Sequence, residues 1–244
     1  MKALLTGGAG RTPDARVSGT VRGGVPGSTS HEHTRPPAGE ATPDEVSLIQ
    51  IRQPALPSSY RMICFPSSRN SPLCYLAMAE LLLPTVELLI VQYPSSMPAD
   101  EDLDPEAAAL LADQVFEAVR GRADRPFALF GHRLGAELAY SVSCRLEREA
   151  YAHAPLTLFV SGRTAPGHRG SLGPPALNCR VVALTAHHDP RAALAGVRAW
   201  RRCTSGRFDL EVFPGAQGYL KSHRREVVNI VHDQLISLGA PDPE

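Results

Sequence analysis

FALFGHRLGAELAY, residues 127–140, runs from an apolar stretch through a Gly-x-x-x-Gly turn into a helical pattern. Phe127 to Phe130 are continuously apolar, as in a strand buried on both faces. Leu134, Leu138 and Val142 then recur at every fourth residue, which is the spacing of one helix face. Gly131 and Gly135 flank the bend, where a strand turning sharply into a helix leaves no room for side chains. At the tip of such a turn enzymes carry a nucleophile, and here the residue is Arg133.

The same alternation continues on both sides. RMICF (61–65), VELLIVQ (86–92), LTLFVSG (156–162), RVVALTA (180–186) and FDLEVF (208–213) read as strands, with SLIQI (47–51) as an outer one. Residues 74–83, 104–121, 134–149, 189–203 and 223–239 have helical spacing. Asp104-Pro105 and Asp189-Pro190 read as an N-cap followed by a first-turn proline, and Gly121 and Gly239 as C-terminal stops. Apolar strands alternating with helices predict a doubly wound α/β domain over residues 47–244. Its sheet should be mostly parallel, with helices on both faces and any site at the carboxyl ends of the strands.

Residues 1–46 are rich in Gly, Pro, Ser and Thr and lack a repeating apolar pattern, so this tail is expected to be disordered. Within it, KALLTGGAGR has only part of a dinucleotide-binding turn, and His31 and His33 alone make a weak metal pair. No cofactor is expected. Lys plus Arg and Asp plus Glu both number 25, so no overall charge draws in nucleic acid or an anionic membrane. Five scattered cysteines without a C-x-x-C pair suit reduced thiols. No run approaches the ~18 apolar residues of a membrane span, and the expected location is the cytoplasm.

FALFGHRLGAELAY resembles the PFALFGHSMGA elbow of the stand-alone (type II) thioesterases of polyketide and nonribosomal peptide pathways. Further segments match that family in order. RMICFPSS resembles its first core strand and FPHAGG loop, VELLIVQYP its VExxxVQxPG, and LTLFVSGRTAP its LFVSGRxAP strand. VVALTAHHDPR through FPGAQGYL resembles the stretch from the catalytic acid to the catalytic histidine. The resemblance implies an α/β-hydrolase fold and acyl or peptidyl carrier proteins as partners.

Carried over position by position, the family's serine falls on Arg133, its acid on Asp189 and its histidine on Gln217. Arginine offers no nucleophile and glutamine no base, so Ser-dependent hydrolysis is not expected. The oxyanion loop becomes Ser67-Ser68-Arg69-Asn70, and the connector after Arg163 is too short for the family's helical lid. Ser67, Ser68, His132, Arg133 and Leu134 are the candidate substrate-contacting positions. Ser141, Ser143 and Cys144 lie beyond the elbow as packing residues, and of His187 and His188 at most one should face the site.

Two outcomes are open for Arg133: pairing with Asp189, or clamping an anion such as a carboxylate-bearing intermediate. The leading expectation is an accessory or binding protein of secondary metabolism. The alternatives are an isomerase, epimerase or cyclase with Arg133 as an anion clamp, and a weak editing thioesterase using Ser67, Ser68 or a bound water.

Overall fold

Near-continuous apolar strands need cover on both faces, and the protein provides it. The computed structural model describes residues 4–5, 45–69, 71, 73–97, 103–149, 154–167 and 176–237. In chain order the elements are β1 (Leu4–Leu5), β2 (Ser47–Arg52), β3 (Tyr60–Phe65), α1 (Leu73–Leu82), β4 (Val86–Gln92), α2 (Pro105–Arg120), β5 (Phe127–His132) and α3 (Leu134–Arg148). There follow β6 (Thr157–Ser161), β7 (Arg180–Ala186), α4 (Leu194–Arg198), a 3-10 turn (Ala199–Cys203), β8 (Phe208–Phe213), α5 (Tyr219–Ser222) and α6 (Arg224–Ser237). The sheet order is β1-β2-β4-β3-β5-β6-β7-β8, with β3 to β8 parallel and β1 and β2 antiparallel. Alternate residues of each strand enter opposite cores. Ile63, Leu89, Leu129 and Val160 pack with Leu111, Val115 and Phe116 of α2, while Met62, Leu88, Phe130 and Leu184 pack with Tyr75 and Met78 of α1 and Val227 and Val231 of α6.

From β3 the chain winds one way to β4 and then returns past β3 to β5. The carboxyl ends of β3 and β5 therefore form the switch point where an open α/β sheet leaves a crevice. The Ser67 loop and the Arg133 turn both start there.

Three sequence expectations need correction. Leu4 and Leu5 pair with Arg52 and Ile51, so this part of the tail joins the sheet as β1; residues 6–44, with His31 and His33, lie outside the described residues, as do Asn70 and Gly239. The helix expected over 189–203 is a turn followed by the short α4 and the 3-10 segment. Ala193, not Asp189, precedes α4, and the Asp189 carboxylate instead meets Arg133 and the Arg191 amide. Asp104 behaves as expected, accepting from the Ala107 amide at 2.8 Å as the N-cap of α2. His187 and His188 do not alternate across a strand. They occupy the turn after β7, both exposed, with ring centroids 4.6 Å apart. Residues 162–179 connect β6 to β7, and 168–175 of them lie outside the described residues. Among the described residues no helix is long and apolar enough to cross a membrane.

Candidate functional site

The tight turn sets the position of Arg133. Its φ of 55° and ψ of −120° make it the one non-glycine residue with positive φ among the described residues. Such a backbone costs of the order of 1–3 kcal/mol and persists where surrounding contacts hold it. Here the Arg133 amide donates to Ser161 O at 2.9 Å, and Gly135 packs so closely that a Cβ would lie 2.0 Å from Phe65 O. Tyr75 and Tyr93 hydroxyls donate to the Phe65 and Pro66 carbonyls at 3.2 and 2.9 Å, pinning the opposite wall.

The Arg133 side chain turns toward β7. NH2 lies 2.9 Å from Asp189 Oδ2, and NH1 donates to Asp189 Oδ1 at 3.2 Å and to Gly162 O at 3.0 Å. The NH2 contact is an ion pair without good hydrogen-bond alignment, since Oδ2 lacks a directed donor. The Arg191 amide completes Oδ1 at 3.0 Å. The Asp189 side chain is fully buried and that of Arg133 is 7% exposed. Of the two outcomes open from sequence, the structure adopts the ion pair. Gln217 stands apart, exposed on the loop between β8 and α5.

Ser67 and Ser68 come to the switch point but are bound within their own turn. Ser67 is buried, with its Oγ 3.0 Å from Ser71 Oγ. The Ser68 amide donates to Ser71 Oγ at 3.1 Å, and Ser71 Oγ donates to Ser68 O at 3.0 Å. An amide engaged in this way is not aimed at a substrate oxygen. Leu134 opens α3 and is buried. Ser143 Oγ donates to Ala139 O within α3, while Ser141 and Cys144 line an open groove of about 460 Å³ with Asp113, Tyr140, Arg145 and Arg148, which holds no elbow residue.

Sequence reading missed a chain of polar groups under the elbow. The strand registers align His132 with Ser161 and Ser161 with Leu184. His132 Nδ1 lies 2.8 Å from Ser161 Oγ, Ser161 Oγ lies 2.5 Å from Tyr219 Oη, and Tyr219 Oη donates to Leu184 O at 2.9 Å. A carbonyl only accepts, which orients every proton along the chain. Tyr219 donates to Leu184, Ser161 to Tyr219, and His132 Nδ1–H to Ser161, so Nε2 carries the lone pair. Burial, and after it the Arg133 charge, push the His132 imidazole down to about 3. The ring is neutral. The serine of VSGR and the tyrosine after Gly218 were the available signals, but neither has a local partner.

Two measurements follow from this chain. In ¹⁵N spectra His132 is expected to show a protonated Nδ1 at neutral pH, and Tyr219→Phe should lose that fixed tautomer and about 1–2 kcal/mol of stability. The pH dependence has a definite sign. An unfolded imidazole protonates near 6.5 and the folded one near 3. The unfolded state binds more protons between these values, so the contribution of His132 is full above pH 6.5 and is lost toward pH 3. The slope reaches ~1.4 kcal/mol per pH unit. Urea unfolding at stepped pH should show it, and His132→Gln should flatten it.

Known proteins resemble this chain in both sequence and fold. Residues 60–174 match the thioesterase domain. Thioesterase PikA5 of Streptomyces venezuelae is 30% identical over 254 residues, covering 80% of this chain and 88% of that protein. The type II thioesterase BorB, from the borrelidin biosynthetic cluster, superposes with a TM-score of 0.64 at 30% identity, covering 75% of this chain and 94% of its own. RedJ, a thioesterase of the prodiginine pathway in Streptomyces coelicolor, gives 0.63 at 26% identity, with 83% and 92% covered. The α/β-hydrolase-like architecture expected from the sequence is the fold of these neighbours.

Proposed function

This chain belongs to the thioesterase family, and we propose that within it the protein serves polyketide or nonribosomal peptide assembly by binding acyl intermediates, free or on a carrier protein, without serine-dependent hydrolysis. The observation that carries this reading is the Arg133–Asp189 pair at the elbow. A protonated guanidinium occupies the nucleophile position and holds the carboxylate that would orient a base. Gln217, at the position of the base, is exposed and has no proton-accepting nitrogen. BorB, from the borrelidin biosynthetic cluster, and RedJ, from the prodiginine biosynthetic pathway, support the pathway class.

The test is hydrolysis of a short acyl-N-acetylcysteamine thioester by purified protein. The expected rate equals the uncatalysed background and is unchanged by a serine-directed fluorophosphonate. Turnover above background that Ser67→Ala or Ser68→Ala abolishes would overturn the reading. The double variant Arg133→Ser, Gln217→His is also expected to remain at least ~10²-fold slower than a relative with an intact oxyanion loop, because the Ser68 amide stays committed to Ser71.

A further inference from the structure

We propose that the arginine face of α4 and of the 3-10 turn after it is a docking surface for a protein partner that presents carboxylates along a helix. The inference rests on the binding role proposed above, which includes acyl groups delivered on a carrier protein, and it names the surface and the charge of the partner.

Between Asp189 and Asp209 the chain carries Arg191, Arg198, Arg201, Arg202 and Arg207 and no acidic residue, in a protein whose basic and acidic residues are equal in number. All five arginines are exposed. Val197, Trp200 and Cys203 are buried at every third position, so the intervening residues of this tight helical run face outward. At three residues per turn, side chains three apart eclipse, and Arg198 and Arg201 stand in line on the outer face with Arg202 beside them. The segment is held firmly from behind. Trp200 Nε1 donates to Arg163 O at 2.8 Å, the Ala165 amide donates to Gly196 O at 3.0 Å, and Tyr140 meets the Trp200 ring edge-on at 5.3 Å.

Arginines elsewhere on the surface have carboxylates beside them: Arg120 pairs with Glu117 at 2.8 Å, Arg145 with Asp113 at 2.7 Å and Arg163 with Glu137 at 2.7 Å. Among the described residues Arg198 makes no ion pair, and Arg201 donates only to Thr204 O, at 3.3 Å. Like charges set side by side repel, so this face is under electrostatic strain in the free protein and is relieved when carboxylates come opposite it.

The rest of the face decides the class of partner. The exposed large apolar residues among those described are Leu56, Leu81, Leu110, Val212 and Ile236, none of them in this run, so the face offers nothing to insert into a bilayer. Its one aromatic ring, Trp200, is turned into the core and cannot stack on a nucleic-acid base. A row of guanidinium forks instead matches carboxylates spaced along a helix. The face also begins at the elbow. The Arg191 amide donates to Asp189 Oδ1 at 3.0 Å and the Ala192 amide to Asp189 O at 3.3 Å, so the run leaves directly from the residue that pairs with Arg133. The five residues of α4 rise only about 7 Å, which keeps a partner seated on them close to that turn.

The test is fluorescence anisotropy of a fluorescein-labelled helical peptide with glutamate at every fourth position, titrated with the full-length protein. The same peptide with glutamine for glutamate, a single-stranded DNA and phosphatidylglycerol vesicles are run beside it. The glutamate peptide is expected to bind saturably, with an affinity that falls about fivefold or more from low to physiological salt, and the glutamine peptide is expected not to bind. In the wild-type protein the largest backbone amide shifts should fall on Arg198, Arg201 and Arg202, a result that depends on no variant folding. Arg198→Glu with Arg201→Glu should weaken binding about tenfold or more, whereas the charge-matched pair Arg122→Glu with Arg225→Glu should change it less than about twofold. No saturable binding, shifts centred elsewhere, equal losses in the two double variants, or tighter binding to the DNA or the vesicles overturns the assignment. Self-association in sedimentation velocity that Arg198→Glu with Arg201→Glu abolishes would give the face to a second copy and overturn it too. Failure here with thioesters still unhydrolysed removes the docking surface and leaves the binding function standing. Serine-dependent hydrolysis would remove that function whatever the titration shows.

Discussion

Asp189→Ala is expected to destabilise the protein by about 3–5 kcal/mol, because it leaves the Arg133 guanidinium buried without its counter-charge. The pair is enclosed, with the carboxylate fully buried and the guanidinium 7% exposed, so solvent cannot replace the lost partner. Arg133→Gly should cost less. It strands Asp189, but the Arg191 amide still donates to that carboxylate and the strained backbone is relieved. The double variant Arg133→Gly, Asp189→Ala is then expected to be more stable than Asp189→Ala alone. Urea unfolding of all four proteins gives the coupling energy directly. Additive single effects would mean that the ion pair does not organise the elbow.

Gly135→Ala is the second large effect, expected at about 4 kcal/mol or more, enough to deplete folded protein. The new Cβ would lie 2.0 Å from Phe65 O and 2.6 Å from Pro66 O, both backbone atoms. Neither carbonyl is free to retreat, since Tyr75 and Tyr93 hold them. Gly121→Ala is the matched control. A Cβ there meets nothing within 4 Å, so its effect should lie within about 1 kcal/mol of zero. Thermal unfolding of the two variants side by side separates a steric role for Gly135 from a general preference for glycine.

The elbow keeps its backbone strain and both close-packed glycines, features that serve to expose a nucleophile. In this chain the same geometry places a guanidinium at the tip, paired with Asp189. The Ser67 to Ser71 turn closes on itself instead of presenting amides to a substrate oxygen.

By itself the sequence determined the doubly wound architecture, the strand positions and the elbow. Those features follow from short-range rules: apolar periodicity, the Asp104 cap, and glycines where backbones meet. The fate of the Asp189-Pro190 signal was beyond such rules. The same dipeptide that caps α2 does not cap α4; the Asp189 carboxylate accepts instead from the Arg191 amide and from Arg133, 56 positions away. His132, Ser161 and Leu184 are likewise far apart in the chain and become neighbours only when β5, β6 and β7 pair in register. Tertiary structure therefore decided which of two partners Arg133 took and which nitrogen of His132 carries its proton. The physical reason is that a buried charge or hydroxyl is satisfied by whatever the folded sheet brings within about 3 Å of it, whatever the sequence separation.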